Sequence, residues 1–562
     1  MEKARFMNGA EAFLNILQTW GVDHFFGCPG TTEAPILDAL VKRNEPTFVL
    51  CTHETVATSA ADGYARASGR PGVVMLHGNV GLGNAVTYLH SAQTAHVPVI
   101  AVNFIKSRSI LGRGAFTTTH DHQEMVKQYT KWDWQVLRPE SLVEDLERAF
   151  RRAIAPPTGP TYLAIPEDML NVEMDASGIA GPLQGALSSR PSAGDISRAG
   201  GILTEASFPL IIAGSGVAQE EAMEQVIKLA HSLSAAVCCD NRLQLDFNSY
   251  PTEEAHFVGP FQPGADFVQR ADVILAIGCK LFVEFIPPLK PWIPPETKLI
   301  HLHTDATEIG NLYRPHVGLC GSVKAGLEDL LSELPSRLEA REQALAEREK
   351  EVIRLHEAFI GRRDDCFEAT KNSQPLKVGS LACELTGVVD PSSTLVLDAT
   401  TSNDTMVEYV PRHHTKSLYA SSTAGSLGWG MGAALGVKMG SPDRRVICVV
   451  GDGVFMFGAP ALHTAAKHHL PIVFIVINNS MYAAVKAGLL RYGGQAAEKG
   501  IFPGSDIGGP DYAAIAKGFG VSAFKVTSNE DLPRLSEVIR QADGPVLVEV
   551  VTDPEDAGRI AR

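Results

Sequence analysis

The chain has 562 residues, 45% of them hydrophobic and 20% charged, which is too long for one domain and fits three domains of ordinary size. Its net charge of −15 argues against nucleic-acid binding, because phosphate backbones require clustered Lys and Arg. The sequence has no apolar run long enough to span a membrane, and its charged, amphipathic start does not look like a secretory signal. We therefore expect a cytoplasmic protein without a membrane partner.

The first part of the chain, residues 1–182, alternates strand-like and helix-like segments, which predicts a parallel sheet. The strand-like runs are Val22–Gly30, Thr47–Glu54, Gly72–Gly78, Pro98–Phe104 and Pro160–Asp168. A loop-like stretch over 181–194 then marks a domain boundary.

A second α/β unit is predicted over 190–340, with strands at Pro209–Gly216, Val273–Gly278 and Leu299–Asp305. Its Gly-Ser-Gly after the first strand is a fragment of a dinucleotide-binding motif, but a plain strand-to-helix turn is the favoured interpretation. The next segment, 341–372, is rich in charge and poor in apolar positions, which predicts a solvated helical linker.

The last unit, 373–562, has the same plan, so the predicted fold class is α/β with three doubly wound parallel-sheet domains. Its strand-like runs are Thr394–Thr400, Ser417–Thr423, Val446–Val450, Ile472–Ile477 and Pro545–Thr552.

Two runs of this unit, Val446–Val450 and Ile472–Ile477, flank a helix-like segment and predict a parallel crossover. Each ends in small polar residues, and the carboxyl ends of parallel strands meet at one edge of a sheet. Asp452 and Asn479 should therefore converge there, with the Met481 carbonyl close by. Such oxygen donors suit Mg²⁺, and the glycines beside Asp452 allow a phosphate to approach the backbone. These residues predict a site for a magnesium diphosphate, although ordinary turn-forming residues would give the same local pattern.

The sequence contains Gly-Asp-Gly, followed by 24 residues and then Asn-Asn. This pattern resembles the signature of thiamine diphosphate (ThDP) enzymes. A second motif, His53-Glu54 followed by Ala-Asp-Gly-Tyr-Ala-Arg, resembles the N-terminal half of the ThDP-dependent decarboxylases and carboligases. The resemblance covers nearly the whole chain. It implies a pyrimidine-binding, a central and a diphosphate-binding domain, with ThDP and Mg²⁺ as cofactors.

In this family a glutamate forms a hydrogen bond to the aminopyrimidine ring of the cofactor, and here that residue would be Glu54. A carboxyl group held away from water can share a proton with the ring nitrogen and so promote the cofactor's imino form. The alternative role for Glu54 is that of an acid at a helix N-terminus.

The resemblance also places Leu427 as the apolar wedge between the two cofactor rings, with the Gly425 carbonyl receiving the amino group. The implied metal ligands are Asp452, Asn479 and Met481. The implied cofactor-binding residues are Glu54, Thr400, Thr401, Ser402, Gly425, Leu427, Asp452, Gly453, Val454, Asn479, Met481 and Tyr482.

The sequence around His77 resembles the benzoylformate decarboxylases, where a histidine at this position acts on the substrate. His77 is thus a candidate catalytic residue, with Thr31, His77 and Ala484 as candidate substrate contacts. The chain departs from that group at Lys280–Pro288, which lacks a second histidine, and at Gly488, which suggests a wider pocket. The loop from Lys486 to Pro510 is expected to cover the site.

The resemblance implies a ThDP- and Mg²⁺-dependent lyase that cleaves the bond next to a carbonyl, with decarboxylation of a 2-oxo acid as the first choice. An acyloin or 2-hydroxyacyl-CoA lyase and an acetolactate synthase-like carboligase are alternatives, as is a non-catalytic cofactor-binding protein. Because pyrimidine and diphosphate domains of different chains face each other in this family, a homodimer or homotetramer is expected. Whether the central domain binds FAD or ADP stays open.

Overall fold

The structure is a computed structural model that describes residues 5–183, 189–240, 245–282 and 290–556. It contains three six-stranded sheets in which all strands pair in parallel. Side chains alternate between two separate cores along each buried strand. Val74 and Leu76, for example, face one core, whereas Val73 and Met75 face the other. The predicted class of three doubly wound parallel-sheet domains is confirmed.

The N-terminal sheet has the strand order β3-β2-β4-β5-β7-β6, and β1 pairs with β8 in a small antiparallel sheet beside it. The sequence did not predict β1, β6 or β8, because they are only three or four residues long and carry polar residues. The strands are β1 (Phe6–Asn8), β2 (His24–Gly27), β3 (Thr47–Leu50), β4 (Gly72–His77), β5 (Val99–Ile105), β6 (Trp132–Gln135), β7 (Thr161–Pro166) and β8 (Glu173–Asp175); the helices are α1 (Gly9–Thr19), α2 (Ala34–Leu40), α3 (Glu54–Ser68), α4 (Gly78–Thr94) and α5 (Leu142–Ile154).

The central sheet has the order β11-β10-β9-β12-β13-β14. As the plain-turn interpretation requires, β9 ends just before a short helix, and Gly214 there packs against Gly278 too closely for a side chain. The strands are β9 (Pro209–Ala213), β10 (Ala236–Cys239), β11 (Phe257–Pro260), β12 (Val273–Ile277), β13 (Lys298–His303) and β14 (Val317–Cys320); the helices are α6 (Ala193–Glu205), α7 (Ser215–Gln219), α8 (Met223–Leu233), α9 (Asp266–Gln269), α10 (Val323–Glu333) and α11 (Pro335–Leu338).

The charged segment after the central domain forms one long helix, α12 (Glu342–Thr370). The segment is helical, as the sequence predicts, and two of its apolar side chains, Val352 and Phe359, are buried. Phe359 packs edge-on against Phe257 of β11. Two apolar side chains seven residues apart lie on the same face of a helix, and this narrow stripe holds α12 against the central domain.

The C-terminal sheet has the order β16-β15-β17-β18-β20-β19. The predicted crossover joins β17 and β18 in parallel, although its helical part is two short helices instead of one. The strands are β15 (Ser393–Asp398), β16 (Leu418–Ala420), β17 (Arg445–Gly451), β18 (Ile472–Asn478), β19 (Ser522–Val526) and β20 (Val546–Val551); the helices are α13 (Val378–Thr386), α14 (Asn403–Tyr409), α15 (Trp429–Gly440), α16 (Asp452–Gly458), α17 (Ala461–Lys467), α18 (Ala483–Tyr492), α19 (Gln495–Lys499), α20 (Tyr512–Gly518) and α21 (Leu532–Gln541).

Each sheet lies within one of the proposed ranges 1–182, 190–340 and 373–562, whose limits stay predictions. Among the described helices, none is long and apolar enough to cross a membrane.

The N-terminal and C-terminal domains touch through α3 and α15, whose backbones approach closely. A Cβ atom added at Gly432 would overlap the Ser59 hydroxyl, and one at Gly436 would overlap the Ala60 carbonyl. Gly432 and Gly436 of α15 are therefore packing positions that join the two domains.

We expect Gly436→Ala to destabilise the fold by about 1–3 kcal/mol, because the new methyl group meets backbone atoms that cannot rotate away. The matched control is Gly361→Ala in α12, where nothing lies within 4 Å of an added Cβ. That change should stabilise the protein by roughly 0.5–1 kcal/mol. Urea denaturation of both variants measures the difference, and equal stabilities would contradict the close contact.

Candidate active site

A cavity of about 180 Å³ opens at the carboxyl ends of β15, β17 and β18. Because Gly451 pairs with Ile477 in the parallel ladder, the residues that follow these two strands reach the same edge of the sheet. The described residues that line the cavity all belong to the C-terminal domain. Those predicted as cofactor, metal or substrate contacts are Thr400, Thr401, Ser402, Leu427, Asp452, Gly453, Val454, Asn479, Met481, Tyr482 and Ala484.

Asp452 is the first residue of α16 and is 4% exposed. One carboxylate oxygen, Oδ1, accepts the backbone N–H of Gly453 at 2.7 Å, whereas Oδ2 is buried with no hydrogen-bond partner among the described residues. Burial raises the pKa of this carboxyl to about 6, against the opposing effect of nearby backbone N–H groups. A buried carboxylate oxygen without a protein partner has a position open to a cation or a water molecule.

The two asparagines at the end of β18, Asn478 and Asn479, make different contacts. Asn478 donates to the buried Glu549 at 2.9 Å, and its oxygen accepts the backbone N–H of Ser480. Asn479 lines the cavity instead, and its Oδ1 lies 3.1 Å from the backbone nitrogen of Met481. Asn479, 7% exposed, is thus the asparagine available to a ligand.

Gly453 must be a glycine because the ring of Tyr482 occupies the space of its missing side chain. The Tyr482 backbone N–H donates to Ser505 at 2.7 Å, and Met481 forms an isolated bridge with Asp506. These contacts join the loop after β18 to the segment that follows α19. The expected loop over Lys486–Pro510 is in fact largely helical at its start, since α18 and α19 occupy much of it.

Helix α4 of the N-terminal domain holds the loop that contains Gly425 and Leu427. Tyr88 donates its hydroxyl hydrogen to the Leu427 carbonyl at 2.7 Å, and Ser91 donates to Ser426 at 2.8 Å. Leu427 lines the cavity, whereas Gly425 does not. Gly425 adopts a φ of +70°, which favours glycine. The contacts of Tyr88 and Ser91 were not predicted, although both residues lie on one face of α4.

Glu54 is the first residue of α3 and is 8% exposed. Asn84 donates to its Oε2 at 2.9 Å, and the absence of a side chain at Gly81 leaves space beside Oε1. One oxygen of the Glu54 carboxylate therefore accepts a hydrogen bond from the protein, and the other faces free space. Glu54 does not line the cavity of its own chain.

His77 ends β4, and its Nδ1 faces an acid that the sequence analysis missed. Glu33, whose side chain is fully buried, lies 3.0 Å from His77 Nδ1, and the Thr32 hydroxyl lies 2.7 Å from the same nitrogen. The hydrogen bond to Glu33 raises the pKa of His77 above its usual value. Gly30 leaves room for the imidazole ring. Glu33 could have been suspected because it lies two residues after Thr31, a candidate substrate contact.

The other residues predicted to shape the substrate pocket make few contacts in the structure or lie partly outside its described residues. Thr31 is exposed in the single chain. Gly488 faces open space, with nothing within 4 Å of an added Cβ. The segment without a second histidine is Lys280–Pro288. Its residues from position 283 onward lie outside the described part of the chain.

Family models of the thiamine pyrophosphate (TPP) enzymes match three ranges of the chain: the N-terminal TPP binding domain over 7–125, the central domain over 196–330 and the C-terminal TPP binding domain over 398–550. Benzoylformate decarboxylase of Pseudomonas aeruginosa is 29% identical, covering 96% of this chain and 98% of its own. The probable acetolactate synthase large subunit of Methanocaldococcus jannaschii is 28% identical, covering 98% and 93%. The solved Rhodococcus jostii RHA1 thiamine diphosphate-dependent 4-hydroxybenzoylformate decarboxylase has a TM-score of 0.84 at 25% identity, covering 98% and 100%.

The fold is that of a three-domain α/β protein with a cavity at the strand ends of its third sheet. The three matched ranges together cover more than half of the chain. The chain belongs to the thiamine pyrophosphate enzyme family, and thiamine diphosphate is its cofactor.

Proposed function

We propose that this protein is a ThDP- and Mg²⁺-dependent lyase that decarboxylates a 2-oxo acid to an aldehyde and can also join the bound fragment to a second carbonyl. The observation that carries the proposal is the buried, unpartnered Oδ2 of Asp452 beside Asn479 at the edge of the third sheet. Mg²⁺ prefers such oxygen ligands and keeps positions free for phosphate oxygens. Asp452, Asn479 and the Met481 carbonyl would hold the ion.

When bound, ThDP supplies a carbon nucleophile that adds to the substrate carbonyl and accepts the electrons of the adjacent carbon–carbon bond. The chain's own part is to position groups and to move protons. Glu54 would hold a proton at the pyrimidine nitrogen, and Leu427 would keep the cofactor bent. His77 would deliver a proton to the reacting carbon or oxygen, with Glu33 holding its ring in place.

The active site is proposed to be completed by a second copy of the chain. The cavity lining among the described residues contains nothing from the N-terminal domain, although Glu54 and His77 lie there. Large apolar side chains are exposed near the Asp452 part of the site and near the His77 part. Met456 and Phe457 on α16 are 50% and 51% exposed, and Val80 at the start of α4 is 52% exposed. Exposed apolar groups at both halves support burial between two chains.

Mixing two inactive variants tests this arrangement. Chains with Glu54→Gln and chains with Asp452→Asn, unfolded together and refolded, would form mixed dimers with one intact site. Random pairing should then restore about one quarter of the wild-type activity. If each chain builds its own site, the mixture stays inactive.

A substrate screen tests the reaction itself. Purified protein with ThDP and Mg²⁺ would be offered 2-oxo acids, 2-hydroxyketones and acyl-CoA esters. Release of CO₂ from a 2-oxo acid supports decarboxylation. The likeness to acetolactate synthases favours carboligation as the second candidate, which would yield a larger hydroxyketone product. No turnover of any substrate would favour a non-catalytic protein.

The pair of His77 and Glu33 gives a pH prediction. If protonated His77 is the proton donor, the rate falls as pH rises through its pKa, which the Glu33 carboxylate raises. Glu33→Gln removes that charge, so the alkaline limb of the kcat profile should move to lower pH, with kcat about 10- to 100-fold lower.

Thr32→Val is the matched control, because it removes a hydrogen bond at the same nitrogen but leaves the charge of Glu33. Its alkaline limb should stay close to that of the wild type. An unshifted limb in Glu33→Gln would show that Glu33 does not act through His77.

A further inference from the structure

A cluster of two histidines and two glutamates, which we call the His–Glu cluster, lies where α12 crosses the central domain. It consists of His231 at the end of α8, Glu254 and His256 before β11, and Glu349 on α12. One ring nitrogen of each histidine and one oxygen of Glu349 lie within 4.8 Å of one another. Glu254 Oε1 lies 2.8 Å from His231 Nε2. None of these residues belongs to the proposed ThDP site.

His256 is the fixed centre of the cluster. It is fully buried, with Nδ1 lying 2.9 Å from the Ala235 carbonyl oxygen and Nε2 lying 3.0 Å from Glu349 Oε1. Both neighbours are hydrogen-bond acceptors, so each ring nitrogen must present a proton or another cation to its partner. When Nδ1–H is donated to Ala235, Nε2 faces the Glu349 carboxylate, and either a second proton or a metal ion can lie between these two atoms.

We propose that the His–Glu cluster is a Zn²⁺ site that fastens α12 to the central domain. A histidine that donates Nδ1–H to a backbone carbonyl and presents Nε2 has the orientation that metal-binding histidines adopt. Two imidazoles and a carboxylate are ligands that Zn²⁺ accepts, and Glu254 offers an oxygen for the fourth position.

The cluster can adjust around the ion without disturbing the core. Zinc bonds of about 2.0–2.1 Å place tetrahedral ligands roughly 3.4 Å apart. The pairs that now lie 2.8 and 3.0 Å apart must therefore separate slightly, and the wider pairs, which lie within 4.8 Å, must draw together. The buried His256 can stay in place, because the side chains of His231 and Glu349 are 48% and 34% exposed and free to adjust. Imidazole ligands also exclude Mg²⁺, which prefers oxygen, so the cluster differs chemically from the cofactor site.

Metal titration of the intact protein tests the site. Chelator-treated protein, loaded with ThDP and Mg²⁺ to fill the active site, would be titrated with Co²⁺, whose visible absorption reports a tetrahedral site. The variants are His231→Asn and Glu349→Gln, both at partly exposed side chains. Glu347→Gln is the control, because Glu347 lies on the same helix but pairs with Lys350.

Wild type and Glu347→Gln should bind one Co²⁺ per chain, released by Zn²⁺, and Zn²⁺ should raise their melting temperature. His231→Asn and Glu349→Gln should bind the metal more than about 10-fold more weakly, with no such thermal shift. The proposal is overturned if the wild type shows no tetrahedral signal, or if the two variants bind Co²⁺ as well as the control. Neither result depends on which reaction the enzyme catalyses.

Discussion

Glu54→Gln should lower turnover by about 100- to 10,000-fold while the protein still binds ThDP. Glutamine has the shape of glutamate and can still accept the hydrogen bond from Asn84, so the local structure should persist. It cannot take up and return a proton, which is the role assigned to Glu54. The diphosphate and its metal would be held by the C-terminal domain and should be unaffected.

Steady-state turnover and calorimetric ThDP binding, measured on the same preparation, separate these effects. Glu11→Gln is the matched control, since Glu11 lies in the first turn of α1 as Glu54 lies in the first turn of α3. If Glu54 served only the helix terminus, both changes would cost a few tenths to 1 kcal/mol of stability and leave turnover alone. Normal turnover in Glu54→Gln would refute the catalytic role.

The strand-edge part of the site was predictable because it follows from local pattern alone. Two apolar runs on either side of a helical segment indicate a parallel crossover, and a parallel crossover fixes where the strands end. That reasoning brings Asp452 and Asn479 to one edge, and both line the observed cavity. The three-sheet architecture was predictable for the same reason, since long buried strands carry continuous apolar runs.

Residues that act through tertiary contacts were not predictable in this way. Glu33 lies on a loop, and only the fold brings it to His77, 44 residues away. Arg66, quoted only as the end of a motif, forms a buried ion pair with Asp62 and stacks on Trp429 of α15. It also donates to the Ala420 carbonyl, so it joins the N-terminal and C-terminal domains. Nothing in the local sequence distinguishes such an arginine from a solvated one.

Buried stripes on charged helices were missed for a related reason. The apolar face of α12 is narrow, so the high charge of the segment dominated its interpretation. Short edge strands such as β6 and β14 were missed because an alternating pattern over four residues is too short to distinguish a strand from a loop.

Asp452→Asn should abolish metal-dependent ThDP binding and, with it, turnover. The change removes the negative charge and the buried Oδ2, which has no hydrogen-bond partner among the described residues. We expect Mg²⁺ affinity to fall by more than the roughly 10- to 100-fold that loss of an outer-shell partner costs. Asp443→Asn, an exposed position with the same charge change, should leave binding intact.

The same substitution should stabilise the protein without its cofactor, and this separates a ligand role from a structural one. Burial raises the pKa of Asp452 from 3.8 to about 6, so the ionised carboxyl costs the folded state about 3 kcal/mol at neutral pH. A raised folded-state pKa means that this cost is absent well below pH 4 and grows as pH rises through the interval between the two values. Cofactor-free Asp452→Asn should therefore melt above the wild type at pH 7, with the gap closing toward a pH of about 4. If the Asp452 carboxylate stabilised the fold, the variant would instead have a lower melting temperature than the wild type. A metal ligand destabilises the folded protein as long as no ion is bound.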